Sequence, residues 1–130
     1  MKRLMCVVAV LTLIAGVSAL SGADKEKKES LMKKKLTHSQ KILEGITLGD
    51  FKKVSVNAEK LLAISKAGEW KADTSAKYKV YSGEFRRLAD KLIDKAKAKD
   101  LDGATLAYVE MTLNCVKCHK YVRDVQMARR

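Results

Sequence analysis

The chain has 130 residues, 27 of them Lys or Arg against 15 Asp or Glu, giving a formal net charge of +12, and it contains no proline. That length suits one domain with a modest core. The charge favours acidic proteins or anionic surfaces as partners, or else reflects the solvated faces of Lys-rich helices. Nucleic acid is set aside, because no binding motif occurs and only 5% of residues are aromatic.

Residues 1–23 have the layout of a secretory signal peptide. Lys2 and Arg3 form a basic start, Leu4 to Val17 an apolar run, and Val17-Ser18-Ala19 or Ser21-Gly22-Ala23 a small-residue cleavage site. The run is short against the about 20 residues of a membrane span, so no stable span is expected after cleavage. Retention as an N-terminal anchor is the alternative. Cys6 lies inside the apolar run, away from either cleavage site. Cleavage after Ala23 leaves residues 24–130 as the mature domain, exported to the periplasm or an equivalent compartment, with a formal charge of +10 because only Lys2 and Arg3 are lost. Two cysteines then remain, Cys115 and Cys118.

The composition leans on Lys, Ala, Leu, Glu and Asp, good helix formers, and shows no strand-like alternation. Four helices fit between the breaks. The first spans about Lys25 to Thr47, with Met32, Leu36, Ser39, Leu43 and Ile46 as its inward stripe. Thr47-Leu48-Gly49-Asp50 ends it, and Gly49 or Asp50 opens a second helix to about Ser65, with Phe51, Val54, Ala58, Leu61 and Ser65 inward. A connection carrying Gly68 and Trp70 follows, the tryptophan read as a plug for one end of the core rather than an electron relay.

The third helix, about Thr74 to Lys99, turns Tyr78, Tyr81, Phe85, Leu88, Leu92 and Ala96 inward. Gly83 inside it costs about 1 kcal/mol against alanine, which predicts a close approach there, with the edge of a bound ring as one candidate. Asp100 or Asp102 caps the last helix, about Gly103 to Met127, with Tyr108, Met111, Cys115 and His119 inward. Short connections between four amphipathic helices predict an all-α, up-down-up-down antiparallel four-helix bundle.

The last helix carries Cys115-Val116-Lys117-Cys118-His119, a C-x-x-C-H. This spacing reads as covalent attachment of one haem c. Each thiol adds across one porphyrin vinyl group, and the adjacent imidazole binds the iron from below as proximal ligand. On a helix, Cys115 and His119 share a face with Cys118 beside them. Zinc would want four ligands, and His38, the other histidine, has no cysteine near it in sequence. A thioredoxin-like dithiol would want a βαβ setting, and a chance occurrence is the third alternative.

Two donors on the first helix are candidates for the opposite side of the iron. Met32 lies within roughly 40° of the expected inward stripe, whereas His38 sits roughly 120° from Met32 on the flank with Leu31 and Ile42. Met32 is therefore the expected distal ligand, the alternative being a core methionine that never meets iron. His38 is expected at a helix boundary or in solvent.

In these features the chain resembles the cytochrome c-prime family, the class II c-type cytochromes. The likeness covers the mature region and rests on Cys115, Cys118, His119, their C-terminal placement, and Met32-Lys33 on the first helix. It implies Met32 as sixth ligand, as in the low-spin members, and Arg123, four past His119, as a basic residue near the haem and its histidine. The chain departs from the usual C-H-x-x-Tyr-Arg ending, with Tyr121 one position early and Val122 before Arg123, and has Leu36 and Thr37 where many members carry glycine.

The resemblance implies one-electron transfer, with methionine opposite histidine raising the potential and lysines steering an acidic redox partner. Two alternatives stand beside it. One is a five-coordinate protein binding nitric oxide in a pocket of Leu36 and aromatic side chains; the other is a haem subunit docked in a larger redox complex. Members often pair, so a homodimer is an expected assembly. No acid, base or nucleophile set accompanies the motif, and no enzymatic turnover is expected.

Overall fold

The computed structural model describes residues 31–67 and 75–128. Residues 31–33 group with an N-terminal unit and residues 34 onward with the bundle. Within the described residues four helices occur: α1 over 31–48, α2 over Phe51–Lys66, α3 over Ala76–Lys97 and α4 over Leu101–Ala128. They form the expected up-down four-helix bundle, joined at one end by two tight turns. The expected signal segment 1–23, the expected helix start at Lys25, and the connection holding Gly68 and Trp70 lie outside the described residues.

Both turns are built alike. After α1, Gly49 takes a left-handed φ of 66°, its N–H donates to Ile46 O at 3.2 Å, and Asp50 N–H donates to Gly45 O at 2.8 Å. After α3, Lys99 takes φ 57° and donates to Ala96 O at 3.1 Å, while Asp100 donates to Lys95 O at 3.0 Å. These paired bonds satisfy carbonyls that a helix end leaves without partners. In each turn the next residue is an aspartate that caps the following helix: Asp50 Oδ1 accepts from Lys53 N–H at 2.9 Å and Asp100 Oδ1 from Gly103 N–H at 2.8 Å. Of the capping alternatives, Asp50 and Asp100 are the ones used.

The core runs along the bundle axis, and Ile42, Val54, Leu61, Leu92 and Met111 are its largest fully buried side chains. The inward rows expected of α2 and α3 hold: Val54, Ala58, Leu61 and Ser65 are buried on one, Phe85, Leu88, Leu92 and Ala96 on the other.

Helix α1 is turned differently from the expectation. Leu36 is 61% exposed and Leu43 48%, while Ile42, Gly45 and Ile46 are buried and Lys35, His38 and Ser39 half-buried. The inward row is Lys35, Ser39, Ile42 and Ile46, which keeps the expected Ser39 and Ile46 and is rotated by roughly 50° about the helix axis. The physical reason is Gly45. A Cβ there would come within 2.9 Å of Val54 Cγ2 and 3.1 Å of the Val54 nitrogen, so α1 and α2 meet where glycine lets their backbones approach. Two polar contacts fix the rotation. His38 Nδ1 donates to Asn57 Oδ1 at 2.9 Å, and Ser39 Oγ lies 3.2 Å from the Tyr108 hydroxyl of α4. His38 thus sits at a helix boundary, as expected. At Gly83, by contrast, no other helix comes close, since a Cβ there would meet no protein atom within 4 Å.

Candidate haem site

Helix α4 presents the C-x-x-C-H at the end of the bundle away from the turns. Its helical pitch continues the inward row from Met111, buried, through Asn114 to Cys115, which packs against the core. Cys118 is half-buried, and no disulfide joins the two. His119, one turn past Cys115 and expected inward, is exposed, because α4 at that point has passed the end of the apolar core.

Helices α1 and α3 supply the neighbours of these groups. Phe85 of α3 is buried, and the Lys35 ammonium of α1 stands over its ring, 4.3 Å from the centroid. Lys35 is near enough to Cys115, Cys118 and His119 for its charge to act on all three. Burial pushes the Cys115 thiol above its ordinary value, with Lys35 opposing and Cys118 adding to the shift. Burial also lowers the His119 imidazole, and the charges of Arg123 and Lys35 lower it further. Lys35 itself is lowered chiefly by burial, against the pull of the two cysteines.

An attacking or metal-binding cysteine works as a thiolate, and burial shifts Cys115 away from that form. Among the described residues no group of three or more His, Cys, Asp or Glu is gathered to hold a metal ion, and the imidazole of His38 is engaged with Asn57. A haem asks something else of the protein: two neutral thiols that keep their protons until they add to vinyl groups, and one neutral imidazole for the iron. Cys115, shifted toward its neutral thiol, and His119, shifted toward its neutral ring, are in keeping with that requirement.

Of the other site residues expected from the sequence, Arg123 lies exposed one turn beyond His119, where its charge acts on the ring. Met32 is helical and half-buried on the first described turn of α1. Leu36, expected to line a gas pocket, faces outward.

Two features escaped the sequence reading. Lys35 is one, hidden because a lysine is discounted when an apolar stripe is drawn. Tyr121 is the other: its hydroxyl donates to Ser75 Oγ at 3.0 Å, the same oxygen that caps α3 by accepting from Tyr78 N–H at 3.2 Å. Its ring lies 5.9 Å from that of Tyr81, and the Lys77 ammonium stands 5.0 Å from its centroid. Tyr121 therefore ties the end of α4 to the start of α3, and with it fixes the turn of helix that bears His119.

No protein-family model and no curated protein matches the chain. Among solved structures, nitric oxide complexes of two single-site variants of cytochrome c prime from Alcaligenes xylosoxidans share its fold, each with a TM-score of 0.63 and 21% identity, over 75% of this chain and 90% of theirs. At that identity the likeness establishes the four-helix architecture.

Proposed function

We propose that this chain is an exported c-type haem protein that carries single electrons. Cys115 and Cys118 hold the haem through thioethers, His119 binds the iron as proximal ligand, and Met32 is the donor for the distal side. The observation that carries the reading is a C-x-x-C-H on the closing helix of a bundle with the fold of cytochrome c prime. When bound, the haem supplies a one-electron couple and a coloured reporter of its own ligation.

The chain's residues supply the rest. Tyr121, through Ser75, holds the motif turn in place, and partial burial with the charges of Arg123 and Lys35 favours the neutral His119 ring that ligation needs. The positive surface draws an acidic partner. Export by residues 1–23 delivers the two thiols to the compartment where c-type haem is attached. Among the described residues no helix is long and apolar enough to cross a membrane.

The matched structures favour one second reading, since both are nitric oxide complexes. A gas-binding protein would leave the distal side open instead of filling it with Met32. Spectra of the purified holoprotein decide between the two. A low-spin spectrum that turns high-spin in Met32→Ala supports the carrier. A high-spin spectrum in the parent, with rapid binding of nitric oxide to the reduced protein, supports the gas binder. Colourless protein with two free thiols, from a host that matures c-type cytochromes, defeats both.

A further inference from the structure

We propose that Lys35 is a built-in cation of the site that favours the reduced state of the haem and so holds its reduction potential up. The inference rests on the c-type haem reading above.

The packing of α1 motivates it. The helix offers Leu36 next to Lys35, and an assembly governed by apolar burial alone would turn the leucine in and the lysine out. The bundle does the reverse: Leu36 is 61% exposed, and Lys35 lies on the inward row with Ser39, Ile42 and Ile46. A local rule broken in this way marks a functional position when something compensates for it. Here the face of buried Phe85 compensates, lying 4.3 Å beneath the ammonium. The position is also specific. Lys35 stands over Phe85 within electrostatic reach of both motif cysteines and of His119, where a partly buried charge is less screened than one in solvent.

The sign follows from charge alone. Reduction adds one electron to the iron and removes one unit of positive charge from the centre, with no proton transferred. A neighbouring ammonium repels the ferric form more than the ferrous form. Arg86 and Arg123 add cations nearby from α3 and α4, felt at Lys35 and His119 respectively. Those are half-buried and exposed, so salt screens Arg123 most.

The test is an optical redox titration of the holoprotein in four versions: the parent, Lys35→Met, Lys35→Arg, and Lys41→Met as an exposed control on the same helix with the same loss of charge. At the parent's midpoint, Lys35→Met is expected to shift the ferric-to-ferrous ratio at least threefold toward ferric, a fall of about 30 mV at 59 mV per tenfold change. Lys35→Arg and Lys41→Met are expected to stay within twofold of the parent. If Lys35→Met does not accumulate, Lys35→Gln is read in its place against the same thresholds. An unchanged or raised potential overturns the proposal, as does an equal fall in Lys41→Met. A change of spin state in Lys35→Met also overturns it, because it would make Lys35 an iron ligand instead. Failure of the parent to carry haem is a different result and falls on the haem reading itself.

Discussion

The two ends of the bundle are built from different materials. At the turn end, Ile42, Ile46, Val54, Ala58, Leu92, Ala96, Ala104 and Ala107 close the core with aliphatic and small side chains, each at most 9% exposed. At the motif end the inward rows change to Lys35, Tyr81, Asn114, Cys115, Cys118 and Tyr121, of which all but Asn114 are half-buried. Asn114 there donates to the Tyr81 carbonyl at 3.0 Å across α3 and α4. The contrast assigns the work: one end holds the helices together by burial, and the other holds chemical groups in place by hydrogen bonds and charge. Changes at the turn end should therefore cost stability and spare the site, while a change at Lys35 should move the potential of the site with little cost in stability.

The largest effect is expected from Ile42→Ala, which removes a fully buried side chain from the turn end. Truncations of this kind cost about 2–5 kcal/mol. Denaturant unfolding should register that loss, with the haem spectrum of the folded protein unchanged. A spectrum that moved with Ile42 would erase the distinction between the ends. Next comes Gly45→Ala. Alanine gains about 1 kcal/mol of helix propensity, but its methyl must push against Val54, and overpacking costs about 1–3 kcal/mol. A net loss is expected. A net gain would mean that α1 and α2 are free to separate.

How much of this was legible beforehand differs by helix, and the glycines show why. Val54, Ala58 and Leu61 on α2, and Phe85, Leu88 and Leu92 on α3, could be assigned from spacing because the apolar residues there make one row. On α1 two pairs of helical spacing can join Ser39 and Ile46 on the inward face: Leu36 with Leu43, or Lys35 with Ile42. Leucine content favours the first, and only the approach of α2 to Gly45 selects the second. Gly83 invited the expectation that Gly45 fulfils. The motif was readable because its three residues are contiguous, so their relation depends on helix pitch alone. Lys35 over Phe85 and Tyr121 on Ser75 join residues 50 and 46 positions apart, and no local pattern encodes such pairs.

The two turns refine the comparison within the turn end itself. They share bonding, but Gly49 fills the left-handed position in one and Lys99 in the other. A side chain at such a position costs about 1 kcal/mol, partly recovered because glycine is freer when unfolded. Lys99→Gly should thus stabilise the protein by at most about 1 kcal/mol, seen as a higher denaturant midpoint with an unchanged slope. A loss of stability would show that the lysine side chain contributes more than its backbone costs.

The smallest effect concerns the shape of the acid limb rather than stability at neutral pH. Asp100 is held below the ordinary carboxylate range first by its 2.8 Å pairing with Lys95 and then by the Gly103 N–H, whereas no such partner exists in the unfolded chain. A carboxylate with a lowered folded pKa contributes stability that is fully present above the unfolded value, near 3.9, and is lost as pH falls from there through the folded value. Asparagine caps a helix as well as aspartate does but has no charge to lose. Asp100→Asn should therefore match the parent's cap at neutral pH, lack the ion pair, and decline less steeply as pH is lowered below about 4. Identical acid limbs would place the stabilising contact of that turn in the hydrogen-bonded backbone alone, and would make the two turns equivalent in everything but the residue at the left-handed position.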